Sequence, residues 1–185
     1  MATAQSRVTD MTRGDPVRLL LNFSAPLFLS NLLQQFYNLA DTALAGHILG
    51  DAALAQIGAT AALYGLIMNF AFGMNNGLAL TVSRLFGAGD DKGVRRATAW
   101  MLALAAATAA VLTVVFVGVR RPLLVLLQVP ESTMEGALAY LTLILLGIPL
   151  TMAYNMEAAL LRAIGNSLTP LYFLLFSTVL NIGLD

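Results

Sequence analysis

Cysteine is absent from the 185 residues, and histidine occurs once, at position 47. The first absence removes disulfides, thiolate metal sites and cysteine nucleophiles together. The second leaves no imidazole cluster for zinc, and no Ser/His/Asp set that does not run through His47. Charge is scarce as well: 11% of the chain, against about 25% in a typical soluble domain. Ten basic residues balance ten acidic ones, so the sequence carries no electrostatic footprint for nucleic acid. The Gly87-Ala88-Gly89 run lacks the following Lys-Ser/Thr of a phosphate-cradling loop. Apolar surface is what the chain has in abundance, with 58% hydrophobic residues and a mean hydropathy of +0.78. A water-soluble globule and an enzyme are both excluded on these grounds. An all-α, polytopic membrane helix bundle remains.

The few charges mark out the helices. Residues 19–40, 52–83, 97–119, 136–156 and 163–184 contain none, and each stretch exceeds the roughly 18–20 residues that cross a ~30 Å hydrocarbon core. Five helices follow, over about 16–42, 52–86, 95–119, 134–162 and 168–185. The second stretch is too long for one perpendicular crossing, so it tilts, bends near Gly73 and Gly77, or protrudes. GHILGD, Gly46 to Asp51, is expected to turn helix 1 into helix 2, with His47 in the loop. Pro122 and Pro130 bracket Leu123 to Val129, a piece expected to lie apart from helix 3 at the interface. Gly165-Asn166-Ser167 and Pro170 mark the entry to helix 5. Counted from Leu171, that helix rises only ~22 Å before Asp185, less than the hydrocarbon core, which suggests the front part of a longer protein.

Orientation follows from the basic residues. With residues 1–15 as a cytoplasmic tail and 16–185 as one membrane domain, Arg7, Arg13, Arg18, Arg84, Lys92, Arg95, Arg96 and Arg162 lie inside and only Arg120 and Arg121 outside. No cleavage site follows a short apolar core, so helix 1 reads as an uncleaved anchor in an inner, bacterial-type cell membrane.

Against this background the intramembrane polar residues stand out. Asp41 and Asp185 close otherwise apolar stretches, where an aspartate costs roughly 2.5–3.5 kcal/mol at a helix centre. In helix 1, Asn31, Gln34, Asn38 and Asp41 or Thr42 recur at three- and four-residue steps and form one polar face, with Tyr37 four residues before Asp41. Asn181 and Asp185 share a face of helix 5, and Thr151 and Asn155 a face of helix 4. Two carboxylates and two amide carbonyls make an all-oxygen set that suits a hard cation or a shared proton. The same residues would also serve as interhelical hydrogen-bond glue. Glu157 lies about 200° around its helix from Asn155 and is expected at a cavity mouth. Gly73-x-x-x-Gly77 is expected to permit close helix approach.

The run from Pro26 through Gln34-Gln35-Phe36-Tyr37-Asn38-Leu39-Ala40-Asp41-Thr42-Ala43-Leu44-Ala45-Gly46 resembles helix 1 of the multidrug and toxic compound extrusion (MATE) transporters. The likeness continues through Gly73 and Gly77, Ser83-Arg84-Leu85-Phe86-Gly87-Ala88-Gly89-Asp90, Leu161-Arg162-Ala163-Ile164-Gly165-Asn166 and Asn181-Ile182-Gly183-Leu184-Asp185. Members of that family have twelve helices in two six-helix lobes, so the resemblance implies most of one lobe, the fifth helix incomplete. It implies that Asp41, Asn155, Asn181 and Asp185 match an N-lobe site for Na⁺ or H⁺. It also implies that Gln34, Tyr37 and Asn38 face the drug cavity and that Pro26 lets helix 1 bend, which the lost backbone donor of a helical proline supports.

The expected function is therefore ion-driven antiport of cationic amphipathic molecules, with no cofactor beyond the coupling ion and no metal beyond Na⁺ at those residues. Its expected partners are membrane lipids and a missing C-terminal lobe. A non-transporting membrane fragment or scaffold is the alternative from another class. A lipid-linked oligosaccharide flippase is the other transport reading. It is disfavoured because pyrophosphate calls for buried Arg or Lys, and none occurs within 19–40, 52–83, 97–119 or 136–156.

Overall fold

Long apolar runs, broken only where a glycine or proline is followed by polar residues, fold into five helices. The computed structural model describes residues 14–184, and the side chains at 41, 45, 49, 51–53 and 181–184 lie outside that description. In chain order the helices are α1 (Pro16–Leu49), α2 (Asp51–Gly87), α3 (Asp91–Leu126), α4 (Glu131–Ala163) and α5 (Leu168–Leu184). Four of them hold segments long and apolar enough to cross a bilayer, Pro16–Ile48, Leu54–Gly87, Asp91–Leu126 and Glu131–Ala163, and the apolar part of α5 is Leu168–Leu180. A helix of 37 residues such as α2 rises about 55 Å, so it tilts in the membrane or projects from it.

α2, α3 and α4 pack on one another, and α1 lies along α2 and α5. The seam of α4 is Met134, Ala137, Leu141, Leu145, Ile148, Met152 and Met156, all buried and recurring at steps of three and four. It meets Leu63, Ile67 and Ala71 of α2 and Ala109 of α3. Small residues at that seam let the backbones come close, which is how helices associate where lipid supplies no hydrophobic drive. Outward, Val111, Val114 and Val115 of α3 and Leu143, Leu146 and Leu150 of α4 are exposed, an apolar coat suited to acyl chains. Polar groups go inward instead. Thr60 is fully buried and bonds back to the Gln56 and Ile57 carbonyls. Asn75, 1% exposed, donates from Nδ2 to the Met152 carbonyl at 3.4 Å.

Three helices end in the same way. Past α2, Asp90 N–H bonds to Leu85 O and Gly89 N–H to Phe86 O; past α4, Asn166 N–H bonds to Leu161 O and Gly165 N–H to Arg162 O. This pairing needs a left-handed residue, supplied by Gly89 (φ 71°) and Gly165 (φ 83°). α3 repeats it with Val129 N–H to Leu124 O and Gln128 N–H to Val125 O, but there Gln128 takes φ 57°. A Cβ in that region is disfavoured by roughly 1–2 kcal/mol. Gln128→Gly is therefore expected to raise stability by about 0.5–1 kcal/mol, part of the relief being lost to the freer unfolded chain. Reversible detergent denaturation followed by helix content checks it, and an unchanged midpoint would show that no strain is held there.

Several boundaries differ from the sequence expectation. α1 runs on through His47, an exposed residue in its last turn, and Gly50 (φ 80°) alone makes the break. α3 begins at Asp91, its first turn capped by Asp90, which accepts from Gly93 N–H at 2.9 Å. α4 begins at Glu131, directly after Pro130. The expected separate piece Leu123 to Val129 is corrected: α3 continues through Pro122 to Leu126. The proline leaves the Gly118 carbonyl without its helical donor. The Arg120 guanidinium donates to the adjacent Val117 carbonyl, and Gly118 and Pro122 are both exposed, so the helix tolerates the interruption. The expected close approach at Gly73 and Gly77 is corrected too. A Cβ at either glycine would meet no described atom within 4 Å, whereas at Gly136 it would collide with the Gln56 amide. At Gly136 the Gln56 side chain of α2 lies against the α4 backbone, a contact that no paired motif announces.

Candidate functional site

α1 sits to one side of the α2–α3–α4 core, and the space along its inner face is the most polar feature of the described residues. A cleft of 480 Å³ opens between α1, α2, α4 and α5. A second, of 570 Å³, runs between α1, α2 and α4. They share Leu27, Ser30, Asn31, Phe72 and Arg162, and so form two arms of one groove.

α1 supplies Ser30, Asn31, Gln34 and Asn38 to the first cleft. These steps of one, three and four residues place the four side chains on one helical face, as the sequence pattern predicts. Tyr37 is half-buried and is not part of that lining. Pro26 lies inside an unbroken α1, and its carbonyl accepts from Ser30 Oγ at 2.8 Å. Thr42 bonds back to the Asn38 carbonyl at 2.8 Å. Asp41 is in helical backbone, but its side chain lies outside the described residues, as do those of Asn181 and Asp185. The helices that carry the two acids, α1 and α5, pack against each other.

Opposite α1, α4 presents Thr151, Tyr154, Asn155 and Arg162. Asn155 donates from Nδ2 to the Thr151 carbonyl at 2.9 Å, and Thr151 Oγ1 donates to the Gly147 carbonyl at 3.2 Å. Across the cleft, Asn69 of α2 is tied to Gly65 O at 2.8 Å. With one amide hydrogen spent on its own helix, each asparagine keeps its side-chain oxygen as an acceptor toward the groove. Glu157 is exposed and lines neither arm.

Several lining residues escape the sequence pattern. Tyr64, Asn69 and Asn76 of α2 are among them; Asn69, Asn76 and Ser83 recur at seven-residue steps on one helical face, a spacing that could have marked them. Arg162 reads from sequence as an orientation signal, yet it lines both arms and is half-buried. The argument that no basic side chain reaches the cavity is corrected accordingly. The uncharged stretch of helix 4 ends at residue 156, while α4 carries its polar face on to Arg162. The turn after α4 fixes that end: buried Asn166 accepts from Thr169 N–H at 3.1 Å and donates to Thr169 Oγ1 at 2.9 Å, capping α5.

A family model, MatE, matches residues 26–185. The chain belongs to the MATE family. That family is one of transporters rather than enzymes. Among curated MATE relatives, the "Probable multidrug resistance protein YpnP" of Bacillus subtilis is 32% identical over 179 residues, covering 93% of this chain and 39% of YpnP. The "Probable multidrug resistance protein NorM" of Pseudomonas putida is 31% identical over 171 residues, covering 89% of this chain and 35% of NorM. Among solved structures, an outward-facing multidrug resistance MATE transporter superposes with a TM-score of 0.88 at 25% identity, covering 96% of this chain and 40% of that one. A transporter of the wider superfamily from Pyrococcus furiosus gives the same values. The chain thus spans about 40% of the length of the MATE proteins it matches, and the five helices correspond to part of the MATE fold. Solved MATE proteins include complexes with the ligands MaD3S and MaL6.

Proposed function

We propose that this chain supplies the coupling-ion site and one wall of the drug cavity in a secondary antiporter driven by Na⁺ or H⁺. The observation that carries this is the groove beside α1. Amides and hydroxyls from α1, α2 and α4 converge there within helices that are otherwise apolar, a placement that is costly toward lipid and suited to a polar solute. Gln34 and Asn38 form the wall of the cavity, and Asp41, Asn155, Asn181 and Asp185 hold the ion. The packing of α1 on α5 supports the convergence of the two acids, which stand on those helices. An ion that binds one arrangement of α1 better than the other shifts α1 between them, and the drug cavity changes with it. Pro26 is the position at which α1 yields. The distribution of basic residues favours a cytoplasmic N-terminus.

The test is efflux of a cationic dye from cells that carry the native gene, with the membrane Na⁺ or proton gradient imposed and then collapsed. Efflux that stops with one of the two gradients is the expected result. Correctly inserted protein with no gradient-dependent efflux would favour the non-transporting scaffold instead. The flippase reading gains one observation, the arginine in the groove, and efflux of a cationic dye would count against it.

A further inference from the structure

The groove carries a charge that the proposed antiport does not use. Among the described residues that line its two arms there is one formal charge, that of Arg162. Its guanidinium makes no hydrogen bond or ion pair with any described residue. A guanidinium stays protonated at any pH a cell meets, and a half-buried charge with no hydrogen-bonded partner among the described residues draws a counter-ion to it. The planar fork of N–H donors fits the two oxygens of a phosphate or carboxylate. Asn31 stands in the same lining and offers further donors, while Phe23, Leu27 and Phe72 make the neighbouring wall apolar. Gly73 leaves open space beside them, since a Cβ there would meet no described atom within 4 Å.

We infer that the arm between α1, α2 and α4 is a binding site for an amphiphile bearing an oxyanion, its anionic oxygens on Arg162 and Asn31 and its apolar chain along Phe23, Leu27 and Phe72. A membrane phospholipid and a free alkyl phosphate share this chemistry. The antiport reading assigns no role to Arg162 or Asn31, so the inference is tested by a readout that does not depend on it.

The full chain in neutral detergent, titrated with dodecyl phosphate and followed by native mass spectrometry, tests it. Dodecanol serves as the uncharged counterpart. Dodecyl phosphate is expected to bind as a single adduct that dodecanol does not form. Arg162→Gln is expected to weaken it on the order of tenfold or more, the scale of a charge-assisted pair. Arg162→Lys keeps the charge without the fork and is expected to fall between the two. Gly73→Leu leaves the arginine in place but fills the arm, and is expected to weaken binding as well. Arg121→Gln, an exposed arginine at the far end of α3, is expected to change nothing. Competition by phosphatidylglycerol assigns the site to a lipid headgroup, and its failure to compete assigns it to a free amphiphile. No adduct in the wild type would overturn the inference, as would Arg162→Gln or Gly73→Leu variants, with native helix content, that bind like wild type.

Discussion

Asp41→Asn is expected to abolish gradient-driven efflux while insertion, expression and helix content stay at wild-type level. The substitution keeps the size and a hydrogen-bonding amide but removes the only side chain on the polar face of α1 that can carry a negative charge or a proton. For an ion to drive anything it must bind one conformation of the protein more tightly than the other. A coupling factor of tenfold needs about 1.4 kcal/mol of difference, and a practically complete switch needs about 5.5 kcal/mol. An amide provides a dipole in place of a full charge and supplies neither, so the residual rate is expected at or near background. Asp185→Asn is expected to act in the same direction. Asn155→Ala is expected to do less, because Asn155 brings a neutral amide oxygen and is itself tethered to Thr151. Undiminished efflux by Asp41→Asn would remove the ion from α1.

The second large effect concerns the scaffold that holds the groove open. Leu145 is fully buried in the seam where α4 meets α2 and α3, and its carbonyl accepts from Thr113 Oγ1 of α3 at 3.4 Å. Leu145→Ala removes three carbons from a close-packed site. In soluble cores such a change costs about 2–5 kcal/mol, part of it from lost transfer out of water and part from the cavity left behind. In a bilayer the transfer part shrinks, because lipid is as apolar as leucine, and the packing part stays. An expected loss of about 2 kcal/mol follows, read as a lower midpoint in reversible detergent denaturation. Leu143→Ala, at an outward position 72% exposed, is expected to change the midpoint little. Equal effects at the two positions would contradict the assignment of α4's inner and outer faces.

The helices were legible because charge is so rare in this chain that its long uncharged stretches each fall within a helix or, for the fifth, cover one. Their ends were less so. The sequence places GHILGD and Pro122 among the breakers, yet a helix embedded in lipid resists ending, since exposed backbone groups find no water there. α1 therefore ran on until Gly50, and α3 ran through Pro122 with Arg120 bonded to a neighbouring carbonyl. The polar face of α1 was readable from spacing alone, and Gln34 and Asn38 do line the cleft. Tyr37 is half-buried and absent from that lining although it stands three residues from Gln34 on the same helical face. Arg162 was hidden by its position. A basic residue close to a helix end satisfies the orientation rule whether it points to water or into a cavity, and only the groove between α1, α2 and α4 separates the two. The Gly73 and Gly77 pair misled for a related reason. Small residues in a membrane helix permit close approach but do not compel it, and here Gly73 widens the groove instead.

The absence of native cysteine makes the decisive measurement clean. Cysteines placed at 41 and 185, in membranes, are to be joined by a short bifunctional thiol reagent and scored by resistance to proteolytic separation of α1 from α5. Met74→Cys with Thr108→Cys, whose parent side chains touch across α2 and α3 at 3.4 Å, is the positive control. Efficient linking of 41 to 185 is the expected result, because both acids are taken to face a single ion. Failure to link in a sample where the control pair joins would contradict the shared site and the mechanism built on it.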